Sequence, residues 1–260
     1  MELQYILYSK ENGIATITLN RPEALNAWSR ELAEEFLVAM KDAREDKEVK
    51  TVILTGAGEK AFSAGADIKA MQGMNAGKAR DLSKMGYRIC KAIESIEKPV
   101  IAAINGYALG GGMEVSMACD FRLASEHAKM GQTEINIGLI PGWGGTQRLT
   151  RIVGKAKAKE LVYTGRIIDA KTAFDWGLVT RIVPKEELET TAKEFANQLA
   201  SKAPVALAVA KALIEKGIET DLETALELER EGFGVVGSTE DLQEGVSAFI
   251  EKRKPTWTGK

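Results

Sequence analysis

Three consecutive glycines, Gly110-Gly111-Gly112, stand between an apolar run, Val100–Ile104, and a segment carrying a single carboxylate, Glu114. Glycine lets a backbone approach a ligand closely. At a helix start the first N–H groups have no intrahelical acceptor and the dipole favours negative charge. Such amides suit an anion, or an oxygen that becomes negative in a transition state. Two more small-residue turns accompany them, Phe62-Ser63-Ala64-Gly65-Ala66-Asp67-Ile68 and Pro141-Gly142-Trp143-Gly144-Gly145-Thr146. Glu134 lies 20 residues beyond Glu114, and both are set among apolar residues and glycines instead of lysines. Two convergent carboxyls in unlike surroundings can act as acid and base on one substrate. Taken singly, the glycines read equally as a packing cluster, and each glutamate as a surface or helix-start carboxylate.

Residue counts prune the alternatives. There is one histidine, His127, between Glu126 and Lys129, so no site built on several histidines fits within one chain, and a Ser-His-Asp triad would have to use it. It reads as an exposed loop residue. Cys90 and Cys119, 29 apart, form neither a CxxC pair nor a disulfide framework, and reduced thiols in a cytoplasmic protein are expected. A net charge of −2 without a basic stripe argues against nucleic acid as a partner. The longest uncharged run, Pro99–Met113, is too short and glycine-rich to span a membrane. Met1–Tyr8 carries Glu2 and no basic stretch, so no secretory leader is expected. Gly56-Ala57-Gly58-Glu59-Lys60-Ala61 matches a minimal dinucleotide fingerprint, but Gly65 interrupts any following helix and Asp81 falls inside the next helical pattern. It reads as a turn after a strand.

The elements that must position these groups follow from periodicity. Tyr5–Tyr8 and Ile14–Leu19 alternate around Glu11-Asn12-Gly13, predicting a hairpin. Leu32, Phe36, Ala39 and Ala43 mark a helix; Val52–Leu54 and Val100–Ile104 mark buried strands; Leu82, Met85, Ile89, Ile93 and Ile96 mark a helix ending before Pro99. Strands alternating with helices predict an α/β body with largely parallel pairing. After Val183 only helical patterns remain, in segments around Leu188–Leu199, Val205–Ala212, Leu222–Leu226 and Leu242–Ile250. The 260 residues therefore divide into a catalytic body, 1–195, and a helical appendage, 196–260, whose apolar faces pack on the body or on another subunit.

The runs LNRPEALNA (19–27), AFSAGADIKAM (61–71), KPVIAAINGYALGGGMEVSMACD (98–120), GQTEINIGLIPGWGGTQRLTR (131–151) and SAFIEKRKP (247–255) resemble the enoyl-CoA hydratase/isomerase (crotonase) family, in order and over essentially the whole chain. The resemblance implies a spiral of ββα turns followed by a C-terminal helical trimerisation region. It implies an oxyanion hole from the amides of Ala66 and Gly111, and two catalytic glutamates, Glu114 holding and activating water and Glu134 delivering a proton at Cα. The implied reaction is reversible hydration of a trans-2-enoyl-CoA, with no metal and no cofactor beyond the coenzyme A of the substrate. Coenzyme A would run past Ala24, Leu25 and Ala64, then Asp67, Ile68 and Lys69. Phe233 and Lys252 match positions that reach a neighbouring subunit's ligand in a homotrimer or dimer of trimers. Lys69 and Lys252-Arg253-Lys254 read equally as solvated charges. Tyr107 and Trp143 read first as packing residues.

Four positions depart from the family's usual pattern: Thr133 for proline, Met113 for cysteine, Trp143 for a smaller residue and Trp28 for leucine. If the two tryptophans border the acyl channel, short chains are favoured. Two other readings stay open on sequence: a further acyl-CoA activity of the family, such as isomerisation or dehydration of a specialised hydroxyacyl-CoA, and a non-catalytic or RNA-binding relative, against which the retained carboxyls and the charge balance speak.

Overall fold

In the computed structural model, which describes residues 3–260, the hairpin consists of β1 (Ile6–Glu11) and β2 (Ile14–Leu19), antiparallel with Glu11 opposite Ile14. Asn12 and Gly13 both take positive φ, 52° and 78°, as a two-residue turn matched to strand twist requires. Met1 and Glu2, on which the leader expectation draws, lie outside the described residues. Helix α1 (Arg30–Glu45) opens on Ser29, whose side chain accepts from the Leu32 N–H, and it buries the stripe Leu32, Phe36, Ala39 and Ala43.

From there the chain repeats one unit: a long strand, a short strand, a helix. The first turn is β3 (Thr51–Gly56), β4 (Ala61–Ser63) and α2 (Ala76–Glu94). The second is β5 (Val100–Ile104), β6 (Tyr107–Leu109) and α3 (Gly111–Ala118). The third is β7 (Phe121–Ser125) and β8 (Lys129–Gly131), followed by α4 (Gly145–Val153) and α5 (Lys155–Thr164). After β9 (Ile168–Asp169) and α6 (Ala170–Asp175), β10 (Arg181–Val183) ends the strands. The long strands form a six-stranded sheet, β1-β2-β3-β5-β7-β10, and the short ones a second sheet, β4-β6-β8-β9. Only β1/β2 and β8/β9 pair antiparallel. Each turn thus gives one strand to each sheet, which is the ββα spiral that the resemblance implies. Gly56 to Ala61, the apparent dinucleotide fingerprint, is the turn from β3 into β4, and no helix opens there.

The central strands β3 and β5 are buried on both faces, as parallel strands usually are. Val52, Leu54, Val100, Ala102 and Ile104 point into a main core shared with Phe36, Phe62, Ile89, Met113 and Leu149. Their alternates Ile53, Ile101 and Ala103 face the other way, under Leu188, Ala192, Phe195 and Ala196 of α7 (Leu188–Ala200). Helix α7 runs across the 195/196 boundary and belongs by packing to the sheet. The separate helical layer begins after it, with α8 (Pro204–Gly217), α9 (Leu222–Gly237) and α10 (Glu240–Ile250).

This layer is built differently. Neither α8 nor α9 buries a residue within the chain, and Ile214, Ile218, Leu222, Phe233 and Phe249 are exposed. Gly232 lets α8 and α9 come together, since a Cβ there would lie 2.7 Å from Cδ1 of Leu213. The C-terminal segment folds back on α10: the buried Asp241 accepts from the Thr258 and Gly259 N–H groups, and Trp257 Nε1 donates to Ser201 O at 2.8 Å. Among the described residues no helix is long and apolar enough to cross a membrane.

Candidate active site

The two amides singled out for an oxyanion follow neighbouring strands of the second sheet. Ala66 comes after β4 and Gly111 after β6, and β4 and β6 pair in parallel. The two turns touch. A Cβ on Gly65, whose φ is +99°, would lie 3.1 Å from Gly111 N and 2.9 Å from Leu109 O. A Cβ on Gly112 would lie 2.1 Å from Ser63 O. Both positions therefore need glycine, for close approach and, at Gly65, for conformation as well. Ala66 forms an isolated parallel bridge with Trp28, but the bonds of that bridge run through Gly65 O and Asp67 N. Among the described residues neither Ala66 N nor Gly111 N finds an acceptor. Gly111, as first residue of α3, also presents the positive end of the helix dipole.

Glu114 lies in the first turn of α3 and is 1% exposed. Its Oε1 accepts from Trp143 N at 2.7 Å and Gly145 N at 2.6 Å. The turn Gly142–Gly145 is shaped to do this: Gly144 takes φ +102°, and a Cβ on Gly145 would lie 2.9 Å from Glu114 Oε1 and 2.4 Å from Gln132 Oε1. Burial pushes the Glu114 carboxyl above the ordinary range; the two amides and the Arg148 charge act against that shift.

Glu134 opens a 3-10 turn, Glu134–Ile137, that ends on Gly138 at φ +76°. Both of its carboxyl oxygens are buried and without a partner among the described residues. They lie over the glycine run, where a Cβ on Gly110 would sit 3.2 Å from Oε1. Burial and then the charge of Glu114 push the Glu134 carboxyl up to about 7, its own backbone amide opposing. Both carboxyls thus hold a proton more readily than a free glutamate, and as close neighbours they titrate jointly.

A cavity of about 360 Å³ connects these groups. Ala64, Ala66, Ile68 and Gly111 line it together with Glu114 and Glu134. Lys69 lies in an adjoining hollow with Ile68, Met71, Met74, Ile137 and Leu139. Ala24 and Leu25 do not line the cavity, but Leu25 O accepts from Ala64 N at 2.9 Å and so adjoins its edge. Asp67 is occupied internally: Arg21 Nη2 meets its carboxylate at 3.1 Å, and it also accepts from Lys69 N. Phe233, 81% exposed, and Lys252 lie on the helical layer and line no part of this cavity. His127 is exposed, and Cys90 and Cys119 are buried free thiols. No group of three or more potential metal ligands occurs among the described residues.

Trp143 both packs and lines the cavity. It is 5% exposed and meets Trp28 edge-on at 6.2 Å. Its indole fits only because α2 carries Gly86, where a Cβ would fall 1.9 Å from the ring. Sequence reading passed over several supports of the site. Gln132 is fully buried, Nε2 donating to Gly110 O at 3.4 Å and Oε1 unpaired. Asn26, also fully buried, pins its loop to β3 and β4 through Ala57 O and Ala61 O. The one available signal was Gly86 itself, an isolated glycine inside a helical pattern, which usually has a packing reason.

A family model described as enoyl-CoA hydratase/isomerase matches residues 9–260. The chain is 48% identical over 254 residues to the short-chain-enoyl-CoA hydratase of Clostridium acetobutylicum, covering 98% of this chain and 97% of that protein. It is 44% identical over 260 residues to the crotonyl-CoA hydratase of Syntrophomonas wolfei, covering 100% of each. Among solved structures, an enoyl-CoA hydratase from Bacillus anthracis superimposes with a TM-score of 0.96 at 46% identity, covering 99% of this chain and 100% of that one.

Proposed function

The chain belongs to the enoyl-CoA hydratase/isomerase family, and from that premise we propose that it adds water reversibly across the 2,3-double bond of a trans-2-enoyl-CoA. The thioester carbonyl oxygen sits between the amides of Ala66 and Gly111. As water adds at Cβ, electron density moves to that oxygen and an enolate forms. Each preorganised donor on such an oxygen is worth about 3–4 kcal/mol of barrier. Glu114, held by two main-chain amides, orients the water and takes its proton. Glu134, protonated near neutral pH, delivers a proton to Cα. Dehydration retraces these steps with the carboxyls exchanging roles. The observation that carries this reading is the pairing of one tightly held and one partnerless carboxyl in a single cavity beside two free amides.

Coenzyme A, an anionic handle, runs along Ala24, Leu25 and Ala64 and past Asp67 and Ile68 to the cation Lys69. Phe233 and Lys252 serve a neighbouring subunit's ligand, in a homotrimer or dimer of trimers built on the exposed faces of α8 and α9. No metal and no separate cofactor takes part, and the enzyme works in the cytoplasm. The Trp143 wall supports a preference for short acyl chains.

Crotonyl-CoA tests the proposal, with loss of enoyl conjugation followed on wild type, Glu114→Gln and Glu134→Gln. We expect wild-type hydration and a loss of at least ~10²-fold in each variant, the usual scale for acid–base groups. Wild-type rates in both variants would remove the assigned roles.

A further inference from the structure

Helix α2 carries two stripes. One, with Ile89 and Ile93, enters the main core. The other is Ser83, Gly86, Cys90 and Glu94, at intervals of three, four and four residues and therefore on one helix face. Every member of this second stripe meets the segment that holds Glu114. Ser83 Oγ donates to Gly142 O at 2.7 Å. Gly86 leaves the space taken by the Trp143 indole. Cys90 Sγ lies 3.5 Å from Trp143 O and 4.0 Å from Glu114 O. Glu94 Oε1 accepts from Arg148 Nε at 2.5 Å, and Arg148 Nη1 donates to Trp143 O at 2.7 Å. Gly144 must be glycine for this, since a Cβ there would lie 2.0 Å from Arg148 Nη1.

We infer that this stripe, acting through Arg148, is a positioning rail that fixes the Gly142–Gly145 turn and so holds the side chain of Glu114 in place. The inference rests on the proposed hydratase reading for its kinetic consequence, though not for its structural one. Of the rail only Ser83 lines the cavity directly; Gly86, Cys90, Glu94 and Arg148 reach it through Glu114 and the Trp143 wall. Arg148 and Glu94 are mostly buried, with side chains 19% and 25% exposed, so solvent screens their pairing less than at an open surface. The pairing leaves the guanidinium in one orientation, aimed at the Trp143 carbonyl. A lysine could not hold both acceptors in that fixed fork.

The titratable and charged groups around Glu114 are few. Glu134 faces it across the cavity, Cys90 approaches from α2, and Arg148 stands behind the turn, itself facing Glu94 and Glu215. Arg148 is the one cation in this set. Its removal therefore exposes Glu114 to the carboxyls alone.

The test reads Glu114 directly. Infrared difference spectra between each protein and its Glu114→Gln counterpart follow the carboxyl band against pH, with no substrate present. Arg148→Met is expected to raise the Glu114 midpoint by about one pH unit, the scale of losing a nearby opposite charge. It should also lower kcat on crotonyl-CoA by about tenfold or more while KM stays within about twofold, as for a group felt only in the transition state. Arg148→Lys, which keeps a cation but not the fixed fork, should shift both in the same direction by less, and it carries the test if Arg148→Met does not fold. An unmoved midpoint in a folded variant overturns the inference, whatever happens to kcat, because general loosening lowers turnover without retuning one carboxyl. A wild type inactive on enoyl-CoA would instead remove the hydratase reading, while the titration still decides the rail.

Discussion

The two carboxyls of the site are held in opposite ways. Glu114 projects from the rigid first turn of α3 and meets two main-chain donors on one oxygen. Glu134 projects from a 3-10 turn and meets no donor among the described residues. Both are desolvated, so the difference in their proton affinities comes from partners more than from depth. A carboxyl fixed by amides is prepared to stay charged and to orient a water. A carboxyl left unsatisfied in a dry cavity is prepared to hold a proton until a substrate carbon takes it. On the proposed reading, one cavity thus gets an acid and a base from the same residue type.

That contrast can be broken at the backbone. Gly145→Ala puts a Cβ within 2.9 Å of Glu114 Oε1 and 2.4 Å of Gln132 Oε1, displacing the amide that holds the base. We expect kcat to fall about 10²-fold, as when a preorganised donor is lost, measured with crotonyl-CoA. Titration sharpens the contrast. Catalysis requires one proton shared by the pair, so kcat/KM falls about tenfold per pH unit above the raised Glu134 value of about 7. Hydration and dehydration must share this limb, because the reactive forms in the two directions differ only in which carboxyl bears the proton. A pH profile flat from 6 to 9 would dissolve the division of roles. Trp143→Phe enlarges the cavity without disturbing the Trp143 N–H that Glu114 uses. The ratio of kcat/KM on C10 to that on C4 enoyl-CoA should rise by roughly tenfold, within the range a few extra methylenes contribute in a pocket, and an unchanged ratio would end the short-chain argument. The smallest effect belongs to the Glu134 side. At Gly138 a Cβ meets nothing within 4 Å, so Gly138→Ala should change kcat by less than about twofold and lower stability by only about 1 kcal/mol for its positive φ, read by denaturant unfolding.

What was legible in the sequence follows from the length scale of each signal. Strands β1, β2, β3 and β5 and the helices α1 and α2 show themselves because five or more residues repeat a burial pattern, whereas β7 and the three-residue β10 were not read. β4, β6 and β8 are three residues each and β9 is two, too short for alternation to register, so the second sheet was invisible except through the family resemblance. Glu114 and the glycine run stood out because Gly110 to Gly112 carry a local composition signal. Arg148, Gln132 and the second stripe of α2 did not, because each acts on a residue 5 to 59 positions away, and such contacts leave no local mark. Asp67 was legible as a site residue, yet its side chain is engaged by Arg21, an ion pair that joins positions 46 apart.

The interleaving of the two sheets has a consequence for how the site endures change. Ala66 and Gly111 leave the sheet from adjacent, hydrogen-bonded strands, β4 and β6, whose spacing is about 4.8 Å in any sheet. On the proposed reading, the gap offered to an oxygen is therefore set by the main chain and not by any side chain. Neighbouring side chains are free to drift and re-tune what enters the cavity while the grip itself stays constant, provided the two strands remain paired.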